Sequence, residues 1–219
     1  MTLRSNISSL TKRLLPAKVR AGVDIHLRSG SALRKSGWLR SYQEKLPVDA
    51  AGNPIPWYTY PFIRFVEGRL TPEMDVFEFG SGHSTIWWSK HVGSVRACEH
   101  DKDWYEVIAS RLPANVVVDV APNDSDAYVG AAAATGRKYD IVIVDGRRRV
   151  ECATRSIDAL KPGGVIVWDN SDRERYEPGF AHLAAQGFTG RIDFWGMAPL
   201  SAREACTSVF YRRENCLGI

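Results

Sequence analysis

From residue 75 onward, short apolar runs alternate with segments of helical period, and Gly, Asp or Ser punctuates each change. The runs "DVFEFG", "SVRACEHD", "NVVVDVA", "YDIVIVDG" and "GGVIVWDN" predict strands, since they are brief, rich in β-branched residues and bounded by turn formers. Between them the pattern predicts helices: "TIWWSKHV" with Ser84 as cap and Gly93 as stop, a second from Asp101 or Asp103 through Leu112, "DAYVGAAAAT" closed by Gly136, and "VECATRSIDAL". After the helix-like "GFAHLAAQG" come two strands in succession, "RIDFWGM" and "CTSVFYRR", which predict a closing antiparallel hairpin. Near-continuous apolar strands imply burial on both faces. The expected fold class is therefore α/β, a doubly wound, seven-stranded, mostly parallel sheet with right-handed crossovers, Rossmann-like in architecture. Ligands of such sheets bind beyond the carboxyl ends of the strands. Gly80, Glu99, the stretch Asp119 to Asp126, Asp145 and Asp169 are thus expected to face one crevice.

The residues before this pattern differ in kind. Ile7, Leu10, Leu14 and Val19 recur at helical spacing with basic residues between them, interrupted by Pro16. "DAAGNPIPWYTYP" (49–61) reads as a loop because of its prolines and its glycine, and "FIRFVEGRL" as a short helix ending near Gly68. The division expected is a basic N-terminal helical arm or cap with an aromatic loop (1–61), followed by a cofactor-binding domain (62–219). Residues 1–45 carry ten Lys/Arg against Asp24 and Glu44, so the net charge of +4 conceals a basic arm on a mildly acidic body. That arm suits contact with an anionic membrane surface or a partner subunit. No nucleic-acid-binding module is recognisable. Cys98, Cys152, Cys206 and Cys216 show no CxxC spacing, which argues against a zinc site or a disulfide framework and for reduced thiols. Charge without an apolar h-region at the N-terminus, and no long apolar stretch, lead us to expect a cytoplasmic protein.

The chemistry centres on "VFEFGSGHST" (76–85), where a buried strand breaks into two glycines one residue apart. A phosphate-binding P-loop needs Lys-Ser/Thr after the second glycine, and His83-Ser84 stands there instead. A dinucleotide loop needs a third glycine where Thr85 stands. Glu78 gives E-x-G-x-G, and its carboxylate would repel a pyrophosphate but suits a sulfonium ligand bearing an amino group. Glu99 ends the second strand 17 residues after Gly82, where a carboxylate can accept both hydroxyls of a ribose.

Residues 75–170 resemble the class I S-adenosylmethionine-dependent methyltransferases. The matching pieces are "EFGSG" at 78–82, "CEHD" at 98–101, "YDIVIVDG" at 139–146 and "LKPGGVIVWDN" at 160–170. The resemblance implies that Glu78, Phe79, Gly80, Ser81 and Gly82 hold the methionine moiety of S-adenosylmethionine and Glu99 its ribose. Ser84, His100 and Asp145 complete the cofactor set, with Asp126 as the candidate for adenine. Asp145, Asp169 and Asn170, at neighbouring strand ends, form an all-oxygen set suited to Mg²⁺. That arrangement is similar to the metal-dependent catechol- and caffeoyl-type O-methyltransferases. Where those enzymes carry a lysine base, three residues after the first Asp, this chain has Arg148, which stays protonated. His83 and His182 are the bases on offer, and Asp145 and His83 the candidate catalytic residues.

Arg147, Arg148 and Arg149 follow Asp145 directly. Two expectations stand side by side: a grip on an anionic acceptor, and a solvated run pairing with Glu151. Trp57, Tyr58 and Tyr60 are offered for stacking on a sugar or aromatic acceptor. The expected function is S-adenosylmethionine-dependent O-methylation of a small-molecule or glycan hydroxyl, assisted by Mg²⁺. The alternatives are a metal-free methyltransferase acting on nitrogen or a carboxylate, and a catalytically silent partner subunit. A homo-oligomer is compatible with all three.

Overall fold

The structure is a computed structural model and describes residues 16–27 and 30–219. Ile7, Leu10 and Leu14 of the basic arm lie outside the described residues. Immediately after Pro16, helix α1 spans Ala17–Leu27, followed by α2 (Ala32–Lys35), α3 (Trp38–Glu44) and α4 (Tyr60–Glu67). No helix among the described residues is long and apolar enough to cross a membrane.

The remainder alternates as expected: β1 (Asp75–Phe79), α5 (His83–Ser89), β2 (Ser94–Glu99), α6 (Lys102–Ala109), β3 (Val116–Val120), α7 (Asp126–Val129), α8 (Ala131–Ala134), β4 (Tyr139–Val144), α9 (Arg149–Arg155), β5 (Leu160–Asp169), α10 (Glu177–Ala185), β6 (Gly190–Met197) and β7 (Glu204–Tyr211). The seven strands form one sheet in the order β3-β2-β1-β4-β5-β7-β6. All pairs among β1 to β5 are parallel, and β7 runs antiparallel to both β5 and β6. The hairpin is thus present, with its second strand inserted next to β5. Strand order reverses between β1 and β4, which opens a crevice at their carboxyl ends.

Period-two alternation divides the core into two layers. Phe77 and Phe79 of β1, Val142 and Val144 of β4, and Ile166 and Trp168 of β5 face one side, packed with Tyr128, Phe180 and Phe210. Val76, Ile141, Ile143, Val165 and Val167 face the other, under Tyr58, Phe62, Trp87 and Trp88. The same alternation carries Glu78, Asp145 and Asp169 onto this second face. Glu78 is in register with Ile143, and Ile143 with Val167, so Asp145 and Asp169 continue in step one pleat further on.

Several local expectations give way. Ser84 lies inside α5, and Gly82 is its N-cap because the glycine backbone turns one residue earlier. Gly130 breaks "DAYVGAAAAT" into two short helices. Burial on both faces holds for the central strands but not for β3, an edge strand whose Val117 and Val120 are 50% and 41% exposed. The Lys161-Pro162-Gly163-Gly164 turn is drawn into the irregular start of β5, where Lys161 reaches Asp140 at 2.7 Å and Asp75 at 3.1 Å. That network ties the strands together at the end opposite the crevice.

Helix α10 packs Gly179 against Trp168, which is fully buried. A Cβ at residue 179 would stand 2.5 and 3.1 Å from atoms of that indole. Gly179→Ala raises helix propensity by about 1 kcal/mol, yet the indole cannot yield. We expect a net loss of about 1–3 kcal/mol from overpacking, measured by urea denaturation. Equal or greater stability would show that the layer adapts.

Candidate active site

The crevice, about 380 Å³, straddles the reversal point. It is lined by residues of β1 and its loop (Glu78, Gly80, Ser81), α5 (Ser84), the end of β2 (Glu99 to Asp101), α6 (Trp104) and the segment after β4 (Asp145 to Arg147, and Arg149). Gly80 takes φ +101°, a region that strains any side chain, so the chain leaves β1 sharply and exposes its backbone. Gly146 is needed for a different reason: a Cβ there would collide with the Tyr128 hydroxyl and the carbonyl of Phe79.

Glu99 is 3% exposed and held from three directions. Its Oε1 accepts from the amides of His100 (2.7 Å) and Asp101 (2.9 Å), and its Oε2 from Ser81 Oγ (2.8 Å). His100 Nδ1 also lies 2.8 Å from Oε1, whereas Oε2 has Ser81 as its one hydrogen-bond partner among the described residues and can accept a further hydrogen bond. Trp104 donates its indole N–H to Ser81 O at 2.9 Å, which fixes the glycine loop against α6. Asp101, the cap of that helix, accepts from Trp104 N at 3.0 Å.

Glu78 is a carboxylate set into the second core layer, 1% exposed. The Tyr58 hydroxyl donates to Oε1 (3.0 Å) and Thr85 Oγ1 to Oε2 (2.5 Å). Burial pushes its pKa up to about 7, against the lowering effect of the Ser84, Thr85 and Tyr58 hydroxyls. Burial also raises Asp145, with Glu78 adding to the shift and Arg149 opposing it. Asp169 moves the same way, through burial first and then the Asp145 charge.

Arg149 decides the electrostatics. Its side chain, only 10% exposed, turns inward between the two aspartates. Nη2 donates to Asp145 O (2.7 Å) and Oδ1 (2.9 Å), Nε to Gly146 O (3.0 Å) and Nη1 to Asp169 O, with Asp169 Oδ2 at 3.9 Å. Asp169 Oδ1 accepts from Thr207 (2.7 Å), its register partner on β7, and the Thr207 oxygen accepts from the Thr59 amide (3.1 Å). The proposed Mg²⁺ site does not fit this arrangement. Asp145 and Asp169 do come together, but a guanidinium fills the space between them. Asn170 sits in a left-handed turn (φ +51°) outside the crevice lining. Among the described residues no group of three or more His, Cys, Asp or Glu is arranged to hold a metal ion.

Of the residues singled out from the sequence, Glu78, Gly80, Ser81, Ser84, Glu99, His100 and Asp145 line the crevice. Phe79 packs in the first core layer against Phe77 and Tyr128. Gly82 stands behind the loop, donating its amide to Thr85 Oγ1 at 2.9 Å. Asp126 lies outside, 79% exposed and 3.7 Å from Arg155. Asp119 is turned away, bound to Arg96 at 2.9 and 3.2 Å. His83 is 4% exposed and directed at the Pro47 carbonyl (2.7 Å), so Nδ1 carries the proton, and burial lowers its pKa. His182 is exposed on α10. The arginine run divides three ways: Arg147 is exposed at the rim, Arg148 pairs with Glu151, and Arg149 is buried. Asp145 and Arg149 form their ion pair across the turn from β4 into α9.

No protein-family model matches the chain, and no curated protein does. Among solved structures it is similar to a precorrin 8w decarboxylase from Methanobacterium thermoautotrophicum, with 16% identity and a TM-score of 0.55 over 76% of this chain and 97% of that one. A methyltransferase-like protein from Silicibacter pomeroyi matches with 21% identity and a TM-score of 0.51, over 72% of this chain and 89% of that one. A spermidine synthase solved with the transition-state analogue AdoDATO matches with 12% identity and a TM-score of 0.50, over 70% of this chain and 59% of that one. The fold is that of the class I methyltransferases. Likenesses at these identities establish the architecture, and the strand order agrees with it.

The raised pKa of Glu78 has a measurable consequence. The folded protein binds that proton more tightly than the unfolded chain, whose ordinary value is 4.5. Stability therefore falls as pH rises from 4.5 to about 7, by about 3 kcal/mol for a shift of this size. Asp145 and Asp169 add to the fall. Glu78→Gln is expected to reduce the loss seen between pH 5 and pH 8 in urea midpoints of the cofactor-free protein, and unchanged pH dependence would overturn the assignment.

Proposed function

We propose that the protein is an S-adenosylmethionine-dependent methyltransferase acting on a small-molecule or glycan hydroxyl without a metal. The observation that carries this is Glu99, pinned at the end of β2 with Oε2 able to accept a further hydrogen bond at a crevice that opens beside a glycine loop. Glu99 would take a ribose hydroxyl, and the exposed backbone at Gly80 and Ser81 the methionine end. Glu78, behind that loop, would be drawn toward its ionised form by a cationic ligand. When bound, S-adenosylmethionine supplies a methyl group on a sulfonium sulfur that leaves as a neutral thioether.

Asp145 is the residue for the proton. It lines the crevice, its side chain is 26% exposed, and its raised pKa makes it a stronger base than an ordinary carboxylate. His83, turned toward Pro47, is poorly placed for that task. Of the three aromatics of the 56–61 loop, Tyr58 is fully buried on Glu78 and Tyr60 half-buried, while Trp57 is 51% exposed. Trp57, though exposed, is not among the residues lining the crevice, and Arg147 at the rim offers a contact for an anionic acceptor.

The test is a calorimetric titration with S-adenosylhomocysteine, with NAD as the control. We expect saturable binding that weakens tenfold to a hundredfold in Glu99→Ala, the loss of about 1.5–3 kcal/mol associated with a hydrogen bond to a charged group. Absence of binding, or a preference for NAD, would remove the methyltransferase proposal and leave the fold.

A further inference from the structure

The hydrogen-bond partners of Arg149 are all oxygens. Three main-chain carbonyls (Asp145, Gly146 and Asp169) and two carboxylates (Asp145 and Asp169) ring the Arg149 guanidinium at the ends of β4 and β5, distributed over its three nitrogens. Oxygen-only sets of this kind bind divalent cations when the centre is open. Here the centre is held by a guanidinium whose side chain is nine-tenths buried. A guanidinium has five N–H groups. Four meet oxygens of this cage, and the second N–H on Nη1 has only Asp169 Oδ2 at 3.9 Å.

We propose that Arg149 is the resident cation of the crevice, occupying the Asp145–Asp169 oxygen cage in place of a divalent ion and presenting its remaining N–H to the acceptor. The substitution is geometric as well as electrostatic. Arg149 is the first residue of α9, and the αL conformation of Arg148 (φ +43°) begins that helix where the guanidinium can fold back over the strand ends. Thr207 completes the cage by engaging Asp169 Oδ1, leaving Oδ2 on the Arg149 side. A fixed N–H offers one contact. An acceptor with a single reacting hydroxyl is then sufficient for this site.

The inference rests on the proposed methyl transfer only for the acceptor contact, and metal binding can be read without cofactor or acceptor. The experiment follows free Mn²⁺ by electron paramagnetic resonance during titration into the full-length protein. Wild type is expected to leave the Mn²⁺ signal at its buffer value. Arg149→Ala should vacate the cage and acquire one saturable Mn²⁺ site, at least tenfold tighter than any wild-type binding, and the site should vanish in the double variant Arg149→Ala/Asp169→Asn. Arg149→Gln, which is shorter and uncharged but still polar, serves if the alanine variant does not fold, and should gain the same site. Saturable Mn²⁺ binding by wild type that is lost in Asp169→Asn would overturn the proposal, as would a folded Arg149 variant that gains none. Titration of the same proteins with S-adenosylhomocysteine separates failure of this inference from failure of the functional proposal.

Discussion

Glu78 and Asp169 are buried on one face of a sheet with the partly buried Asp145 between them, and Arg149 is the cation that lets the two aspartates stand together. Isolated buried charges cost several kcal/mol each even after relaxation. The guanidinium lies against Asp145 and Asp169 and returns part of that cost through charge-assisted hydrogen bonds. Burial still dominates, since Glu78, Asp145 and Asp169 all remain harder to ionise than ordinary carboxyl groups. A positively charged ligand beside these groups would favour their ionised forms.

The rest of the architecture brings this cluster into being. Strand order places β1, β4, β5 and β7 side by side, and a common pleat phase turns Glu78, Asp145, Asp169 and Thr207 to the same side. The aromatic loop before α4 then closes over the face. Tyr58 donates to Glu78, and the next residue, Thr59, donates its amide to Thr207 and its hydroxyl to Phe194 O at 2.9 Å. One short loop therefore reaches both ends of the carboxylate row. A loop expected to serve an acceptor is largely structural, and its buried hydroxyl and amide replace hydrogen bonds that water would otherwise make.

Much of this was legible in the chain. Alternation of apolar runs with helical periods predicted seven strands and the closing hairpin, because strand and helix periods are local properties of spacing. Glu99 was legible for the same kind of reason: a carboxylate at a strand end, a fixed distance after a glycine loop, has few places to go. The exposure of Arg147 and the pairing of Arg148 with Glu151 agree with the reading of a solvated run. Asp126, by contrast, looked equivalent to its neighbours in sequence and stands outside the crevice, because Ser125 takes the cap and turns the helix so that Asp126 meets Arg155.

By itself the sequence determined the alternating elements, the glycine turn after β1 and the acids at the strand ends, since each depends on contacts between residues close in the chain. Tertiary structure alone decided that β7 enters between β5 and β6, that Thr207 meets Asp169, and that Tyr58 meets Glu78. It also decided which cation neutralises the aspartates. Three consecutive arginines are indistinguishable by charge. Only the direction in which α9 leaves the sheet sends the third of them into the oxygen cage and the other two toward solvent and Glu151.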